Sequence, residues 1–198
     1  MSAGLADARP RCDWAGIGDS LYRDYHDREW GVPLHDDRRL FELLLLEGAQ
    51  AGLAWISILR RREGYRAAFH DFDPTWLASL TDDGIASLLG DPRIVRNRAK
   101  IRSAVGNARA FLALVQETGS FDGWLWSFVD GGPMHNAWRS HAEIPAETDL
   151  SRSLSAEMRR RGFSFIGPTI AYAFMQSAGL VNDHLVACFR HDEVAALR

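Results

Sequence analysis

Helix-start and helix-stop residues punctuate this chain at the spacing of short helices. Between them the apolar residues recur with a period near 3.6 and not with the period of two that a half-buried strand needs. Asp36 and Asp37 can cap a helix that carries Leu40, Phe41, Leu43, Leu44 and Leu46 and ends near Gly48 or Gly52. Asp73-Pro74 opens the next, with proline at the first helical position, where its missing N–H costs nothing. Thr81 opens a short helix that stops at Gly90. Asp91-Pro92 precedes a long one on which Ile94, Ile101, Val105, Ala108, Leu112 and Val115 recur at helical spacing. Ser120 caps a helix bearing Trp124 and Phe128, Gly131 to Thr148 reads as a long loop, and a helix from about Ser151 closes at Gly162. Two apolar segments follow, Pro168 to Ala178 and Val181 to Phe189. No convincing alternating strand, internal repeat or low-complexity tract interrupts the pattern, which predicts an all-α fold.

A chain of 198 residues can bury one ordinary core, and 46% hydrophobic with 25% charged residues is a globular balance. Residues 1–10 are expected to form a flexible extension and residues 11–198 a single helical domain. The sequence shows neither a signal-peptide pattern nor an apolar run long enough to span a bilayer, so a cytoplasmic protein without membrane contact is expected. A net charge of −3 excludes a wholly basic nucleic-acid binder, so any DNA contact must come from a local face. Lys100 is the only lysine, which leaves one candidate for chemistry that needs an amine nucleophile.

Several clusters could carry chemistry. His184 and Cys188 are four apart, so on a helix they would share a side and could bind one ion. Cys12 and His26 could complete a closed set of two cysteines and two histidines. A satisfied core histidine beside an inert thiol is the competing reading, and spacing alone favours it. Trp14, Tyr22, Tyr25 and Trp30, with Trp55 further on, are dense enough to wall a base-stacking pocket, or equally to be core. Glu47 falls on the same helical face as Leu40, Leu43 and Leu44. A carboxylate aimed into an apolar interior needs a donor or a task. In Arg159 to Phe174 one helix stops at Gly162, a turn holds Gly167-Pro168, and another helix begins. Such a hairpin presents free N–H groups to a phosphate, with Arg159, Arg160 and Arg161 nearby. In the segment from Arg93 to Arg102, basic residues alternate with Ile94, Val95 and Ile101. A solvated helix face explains it as well as a DNA contact does.

Taken together, these pieces resemble the 3-methyladenine DNA glycosylase I family. The matching stretches are RCDW at Arg11 to Trp14, YHDREWGVP at Tyr25 to Pro33 and LFELLLLEGAQAGLAW at Leu40 to Trp55. They continue with FDP at Phe72 to Pro74, NRAKIRSAVGNARAF at Asn97 to Phe111 and RGFSFIGPTIAYAFMQSAGLVNDH at Arg161 to His184. The resemblance implies the helix-hairpin-helix glycosylase fold, with DNA held around Gly162, Phe163, Ile166, Gly167 and Thr169. It also implies one structural zinc per chain on Cys12, His26, His184 and Cys188, tying the two ends of the chain together. By the same resemblance Glu47 is the catalytic residue that hydrogen-bonds the base. Tyr25 and Trp55 then pack around the base, and Trp14, Tyr22 and Trp30 line the pocket. The superfamily's catalytic aspartate falls by position on Asn182, which puts in doubt any catalytic part for the neighbouring Asp183.

The implied activity is base-excision repair: hydrolytic removal of 3-methyladenine from alkylated double-stranded DNA by a monomer. The products would be the free base and an abasic site. Alkylation at N3 makes adenine cationic and a good leaving group, so extrusion, an aromatic slot and selective hydrogen bonds suffice. With Thr169 where bifunctional relatives carry a hairpin lysine, no lyase activity is expected. A non-catalytic DNA-binding module would have no use for Glu47 in an aromatic pocket. A zinc hydrolase would need an open metal position, which four protein ligands do not leave.

Overall fold

The computed structural model describes residues 9–16 and 18–197; residues 1–8 of the expected N-terminal extension lie outside them. Among the described residues the helices are α1 (Ser20–Arg28), α2 (Asp37–Gln50), α3 (Trp55–Leu59), α4 (Arg62–Ala68), α5 (Pro74–Ser79) and α6 (Asp82–Gly90). They continue with α7 (Arg98–Thr118), α8 (Phe121–Trp126), α9 (Asp149–Arg160), α10 (Pro168–Ser177) and α11 (Phe189–Ala195). None is long and apolar enough to cross a membrane. The caps do what their chemistry predicts. Asp36 accepts from Arg39 N, Asp73 from Thr75 N and Trp76 N, and Ser120 from Gly123 N.

The core is built on α2, whose side chains are buried from Leu40 through Ala49. Helices α3, α7, α8 and α10 pack around it. A helix buried on every side must satisfy its C-terminal carbonyls internally. Here Lys100 Nζ donates to Ala49 O and Ala51 O, each at 2.7 Å. The sole lysine thus holds the end of α2, neither on a solvated helix face nor free as an amine nucleophile.

Three boundaries differ from the sequence reading. The long helix begins at Arg98 because Asn97 caps it, accepting from Lys100 N, and Ile94 is buried in the turn before it. The expected loop from Gly131 to Thr148 contains a two-residue strand, β1 (Met134–His135), paired parallel with β2 (Val181–Asn182). The segment after Val181 is therefore not helical: β2 leads into a turn, and Cys188 is the N-cap of α11. His184 and Cys188 meet across that turn and not along a helix face.

Helices α9 and α10 pack on one another and are joined by Arg161 to Gly167. Gly162 takes φ +92°, a left-handed conformation suited to glycine at a helix end. The turn is pinned from beneath: Asn107 accepts from Ser164 N at 2.8 Å and donates to Ser164 O at 3.1 Å, while Ser155 Oγ donates to Ile166 O at 2.6 Å.

The end of α10 is stitched to the segment from Gly31 to Leu34, whose amides donate to Gln176 O and Ala178 O, each at 3.1 Å. Gly179 sits in this seam with φ +77°, and a Cβ there would lie 2.4 Å from the Val32 carbonyl. Gly179→Ala is therefore expected to cost about 2–4 kcal/mol, read as a lowered urea midpoint at unchanged m-value.

Candidate active site

Helix α1 turns Tyr22 and Tyr25 to one cleft, and Trp14 enters from the 3-10 turn at Asp13–Gly16. Trp30 follows α1, Glu47 and Gln50 come from the end of α2, and Trp55 opens α3. Ala173 and Gln176, three apart on α10, close the far side, with His141 at the edge. The cleft holds about 290 Å³, a volume suited to one flat heterocycle. Its aromatic walls support one another: Trp14 lies 4.8 Å from Tyr22 and 5.1 Å from Trp30, and Tyr25 lies 5.6 Å from Trp55 between ring centroids. The indole N–H of Trp55 is buried without a hydrogen-bond partner. All six residues expected in the base pocket converge here. Gln50, His141, Ala173 and Gln176 were not anticipated; only the three-residue step from Ala173 to Gln176 could have marked them.

Helix α2 buries two carboxylates, and their surroundings differ. Glu42 is 7% exposed and accepts from Arg62 Nε at 2.6 Å and Arg66 Nη2 at 2.9 Å. Glu47 is 4% exposed and has no cationic partner among the described residues. Burial pushes its carboxyl up to about 8, and the Ser177 hydroxyl offsets this only in part. Burial likewise raises Tyr25 well above its usual range, with the charge of Glu47 adding to the effect.

Behind the aromatic wall the ligand atoms of Cys12, His26, His184 and Cys188 lie within 4.8 Å of one another, all buried. Cys188 Sγ is 3.5 Å from His26 Nε2 and 3.7 Å from His184 Nδ1, and Cys12 Sγ is 3.7 Å from His184 Nδ1. The outer ring nitrogens are occupied: His184 Nε2 meets Trp30 O at 3.0 Å and His26 Nδ1 meets Asp27 Oδ1 at 2.7 Å. Each histidine therefore turns a lone pair inward. Asp27 is itself clamped by Arg11, at 2.7 Å to Oδ2. Cys188 is held far below the ordinary thiol range, first by the Cys12 thiol and then by His184 and His26.

In the hairpin, Phe163 and Ile166 are buried and anchor the turn, so what faces outward is the backbone at Gly162 and Gly167 with the exposed Ser164, Phe165 and Thr169. The expected charge nearby is largely spent: Arg160 pairs with Glu157 at 2.6 Å, and Arg161 with Glu157 at 2.7 Å and Glu117 at 2.9 Å. Leu53 and Phe165 are exposed large apolar side chains on neighbouring loops.

The Glu47 environment has a consequence for pH. A carboxyl whose folded pKa is raised leaves stability untouched below its unfolded value and costs stability as pH climbs toward the folded one. The window here runs from the ordinary glutamate value of 4.5 to about 8. Glu47→Gln should therefore gain stability over the parent progressively across that window, reaching a few kcal/mol above pH 8, by denaturant melts at several pH values. A constant difference from pH 5 to 9 would contradict this picture of the site.

The methyladenine glycosylase family profile matches residues 14–191. The chain is 48% identical over 178 residues to DNA-3-methyladenine glycosylase 1 of Escherichia coli (strain K12), covering 90% of this chain and 95% of that protein. A crystal structure of 3-methyladenine DNA glycosylase I superposes with a TM-score of 0.90 at 49% identity, over 92% of this chain and all (100%) of that one. A tyrosine-to-phenylalanine variant of 3-methyladenine DNA glycosylase I in complex with 3-methyladenine is similar with a TM-score of 0.88 and 37% identity, over 91% and 97% of the two chains.

Proposed function

The chain belongs to the methyladenine glycosylase family, and we propose that it turns 3-methyladenine out of duplex DNA into the aromatic cleft and hydrolyses its bond to the sugar. The observation that carries this reading is Glu47, a carboxylate in an aromatic slot with no counter-cation among the described residues. A cationic base supplies that counter-charge. On arrival it favours the ionised carboxylate, whereas neutral adenine leaves the desolvation cost unmet. Tyr25 and Trp55 pack around the base, with Trp14, Tyr22 and Trp30 completing the pocket. When the glycosidic bond breaks, its electron pair neutralises the departing base and the positive charge passes to the sugar. Glu47 stabilises that charge until water adds at the sugar carbon and gives up a proton. The products are the free base and an abasic site.

The α9–α10 pair serves as a helix-hairpin-helix. Gly167 caps α10 without a side chain, so the first N–H groups of that helix, at Thr169 and Ile170, are left for a DNA phosphate. Exposed Leu53, on the loop between cleft residues Gln50 and Trp55, is placed to enter the space a flipped nucleotide leaves. The protein acts in the cytoplasm as a monomer.

The buried cysteine–histidine set fits a structural zinc. A tetrahedral ion at ordinary Zn–S and Zn–N distances holds sulfur and nitrogen about 3.6 Å apart, and the Cys188–His26, Cys188–His184 and Cys12–His184 separations here are 3.5–3.7 Å within a set that spans at most 4.8 Å. Inward lone pairs on both histidines, and N–H groups of Leu185 and Arg190 on the sulfurs at 3.4 Å, complete what such an ion requires. Four protein ligands leave no place for a catalytic water, so the ion would supply folding energy alone.

Purified protein incubated with methylated duplex DNA should release free 3-methyladenine and leave an unnicked strand, with Glu47→Gln slowing release about 100-fold. Borohydride should trap no covalent adduct, since Lys100 is held at the end of α2 and Thr169 carries no amine. Absence of released base from the parent would refute the assignment, and a trapped adduct would refute its monofunctional form.

Elemental analysis of unchelated protein should find one zinc per chain. Cys188→Ser should lower thermal stability by several kcal/mol while leaving the single-turnover rate of still-folded protein within a few fold.

A further inference from the structure

Asp183 is fully buried and carries four hydrogen bonds. Asn136 Nδ2 at 2.7 Å and Trp138 Nε1 at 2.8 Å donate to Oδ1, while Tyr172 Oη at 2.6 Å and Gln176 Nε2 at 2.8 Å donate to Oδ2. The indole N–H is a donor only, so Asp183 is the acceptor at the centre of this set. That choice settles which way the Gln176 amide is turned. Its nitrogen faces Asp183, and its carbonyl oxygen is left without a protein partner among the described residues. Gln176 also lines the cleft beside Glu47 and Trp55.

We infer that Gln176 reads the 6-position of the base as a fixed hydrogen-bond acceptor, with Asp183 as the positioning residue that denies it the opposite orientation. This rests on the glycosylase reading and adds a specificity to it. A 6-amino purine offers an N–H to the Gln176 carbonyl. A 6-oxo purine such as 3-methylguanine sets two acceptors against each other, and a buried site built to receive a donor rejects a ligand that lacks it. The amide cannot turn to accommodate the oxo base, because its nitrogen would then leave Asp183 with one donor fewer and place a carbonyl against a carboxylate. Glu47 changes its acceptor capacity with protonation, whereas the Gln176 carbonyl does not titrate. Discrimination between amino and oxo bases is therefore assigned to Gln176, and discrimination between cationic and neutral bases to Glu47.

The test compares binding of two free bases, 3-methyladenine and 3-methylhypoxanthine, which differ at the 6-position and in the N–H that the oxo base carries on its five-membered ring. Calorimetry would be run on the parent, Gln176→Met and Asp183→Asn, with excision of 3-methyladenine and 3-methylguanine from methylated DNA measured alongside. The parent should prefer the amino base by roughly tenfold or more, and Gln176→Met should abolish most of that preference. In Asp183→Asn, Trp138 and Asn136 hold the new carbonyl at the Oδ1 position, so an NH2 replaces Oδ2. Gln176 must then turn its carbonyl inward and its own NH2 to the cleft, and the preference should narrow or reverse. A merely structural role for Asp183 would weaken both bases alike. An unchanged amino-to-oxo ratio in Gln176→Met, from a protein that still releases 3-methyladenine, overturns the role of Gln176 alone. A parent that releases no methylated base overturns the glycosylase reading beneath it.

Discussion

The buried meeting of Cys12 and His26 with His184 and Cys188 is the constraint on which the rest of the molecule depends. It closes a loop of most of the chain, and loop closure of that length is costly unless something specific holds the ends. Three members of the cluster also position a neighbour in or beside the cleft. Cys12 precedes Trp14, His26 shares α1 with Tyr22 and Tyr25, and His184 holds the carbonyl of Trp30 and follows Asp183. The Trp30 ring lies 4.6 Å from His184 and 5.1 Å from Trp14, so the wall of the cleft rests directly on the cluster. Displacing the ends would therefore disassemble the cleft before the helical core built on α2 was affected.

Three buried carboxylates then show how environment separates structure from function. Glu42 is neutralised by Arg62 and Arg66 and ties α2 to α4. Asp183 has no cation among the described residues but is satisfied by four donors, which makes it a rigid reference point. Glu47 has no cation among the described residues and only the Ser177 hydroxyl to offset its burial, and it is the one that opens on the aromatic cleft. An unmet desolvation cost is tolerable only where a ligand relieves it. That asymmetry within one helix, and not the mere presence of a carboxylate, marks the site.

Much of this was legible in the sequence because it depends on local rules. Asp36, Asp73 and Ser120 cap where cap chemistry says they should, and Glu47 is buried with Leu40, Leu43 and Leu44 as expected, although α2 is buried on every side and not along that stripe alone. What was not legible depends on contacts between distant segments. The two-residue pairing of Met134–His135 with Val181–Asn182 is too short to show any alternation. The segment from Val181 to Cys188 is apolar enough to suggest a helix, yet the Asn182 carbonyl accepts from Asn136 N, and its side-chain oxygen caps His184 N at 3.2 Å, so the backbone turns instead. The correct pairing of His184 with Cys188 was thus reached on a helical premise that the structure does not support. Lys100 looked like a surface cation because nothing local reveals that the carbonyls of Ala49 and Ala51 lack partners.

The same division between local and distant information bears on selectivity. Stacking on Tyr25 and Trp55 rewards any flat ring, so aromatic walls alone would admit undamaged bases. Charge complementarity at Glu47, as proposed, would reject those that are neutral, but a purine methylated at N3 is cationic in DNA whether it carries an amino or an oxo group. A cleft with only these two features would accept both lesions. A third criterion has to come from a group whose hydrogen-bonding sense is fixed by something other than the ligand. A side-chain amide, like a hydroxyl, can present either sense at almost no cost in shape. Its usefulness for discrimination therefore depends wholly on what holds its far end, and here that end is held by Asp183, one residue before the cysteine–histidine cluster. Recognition of the base and closure of the chain consequently share one short stretch of backbone.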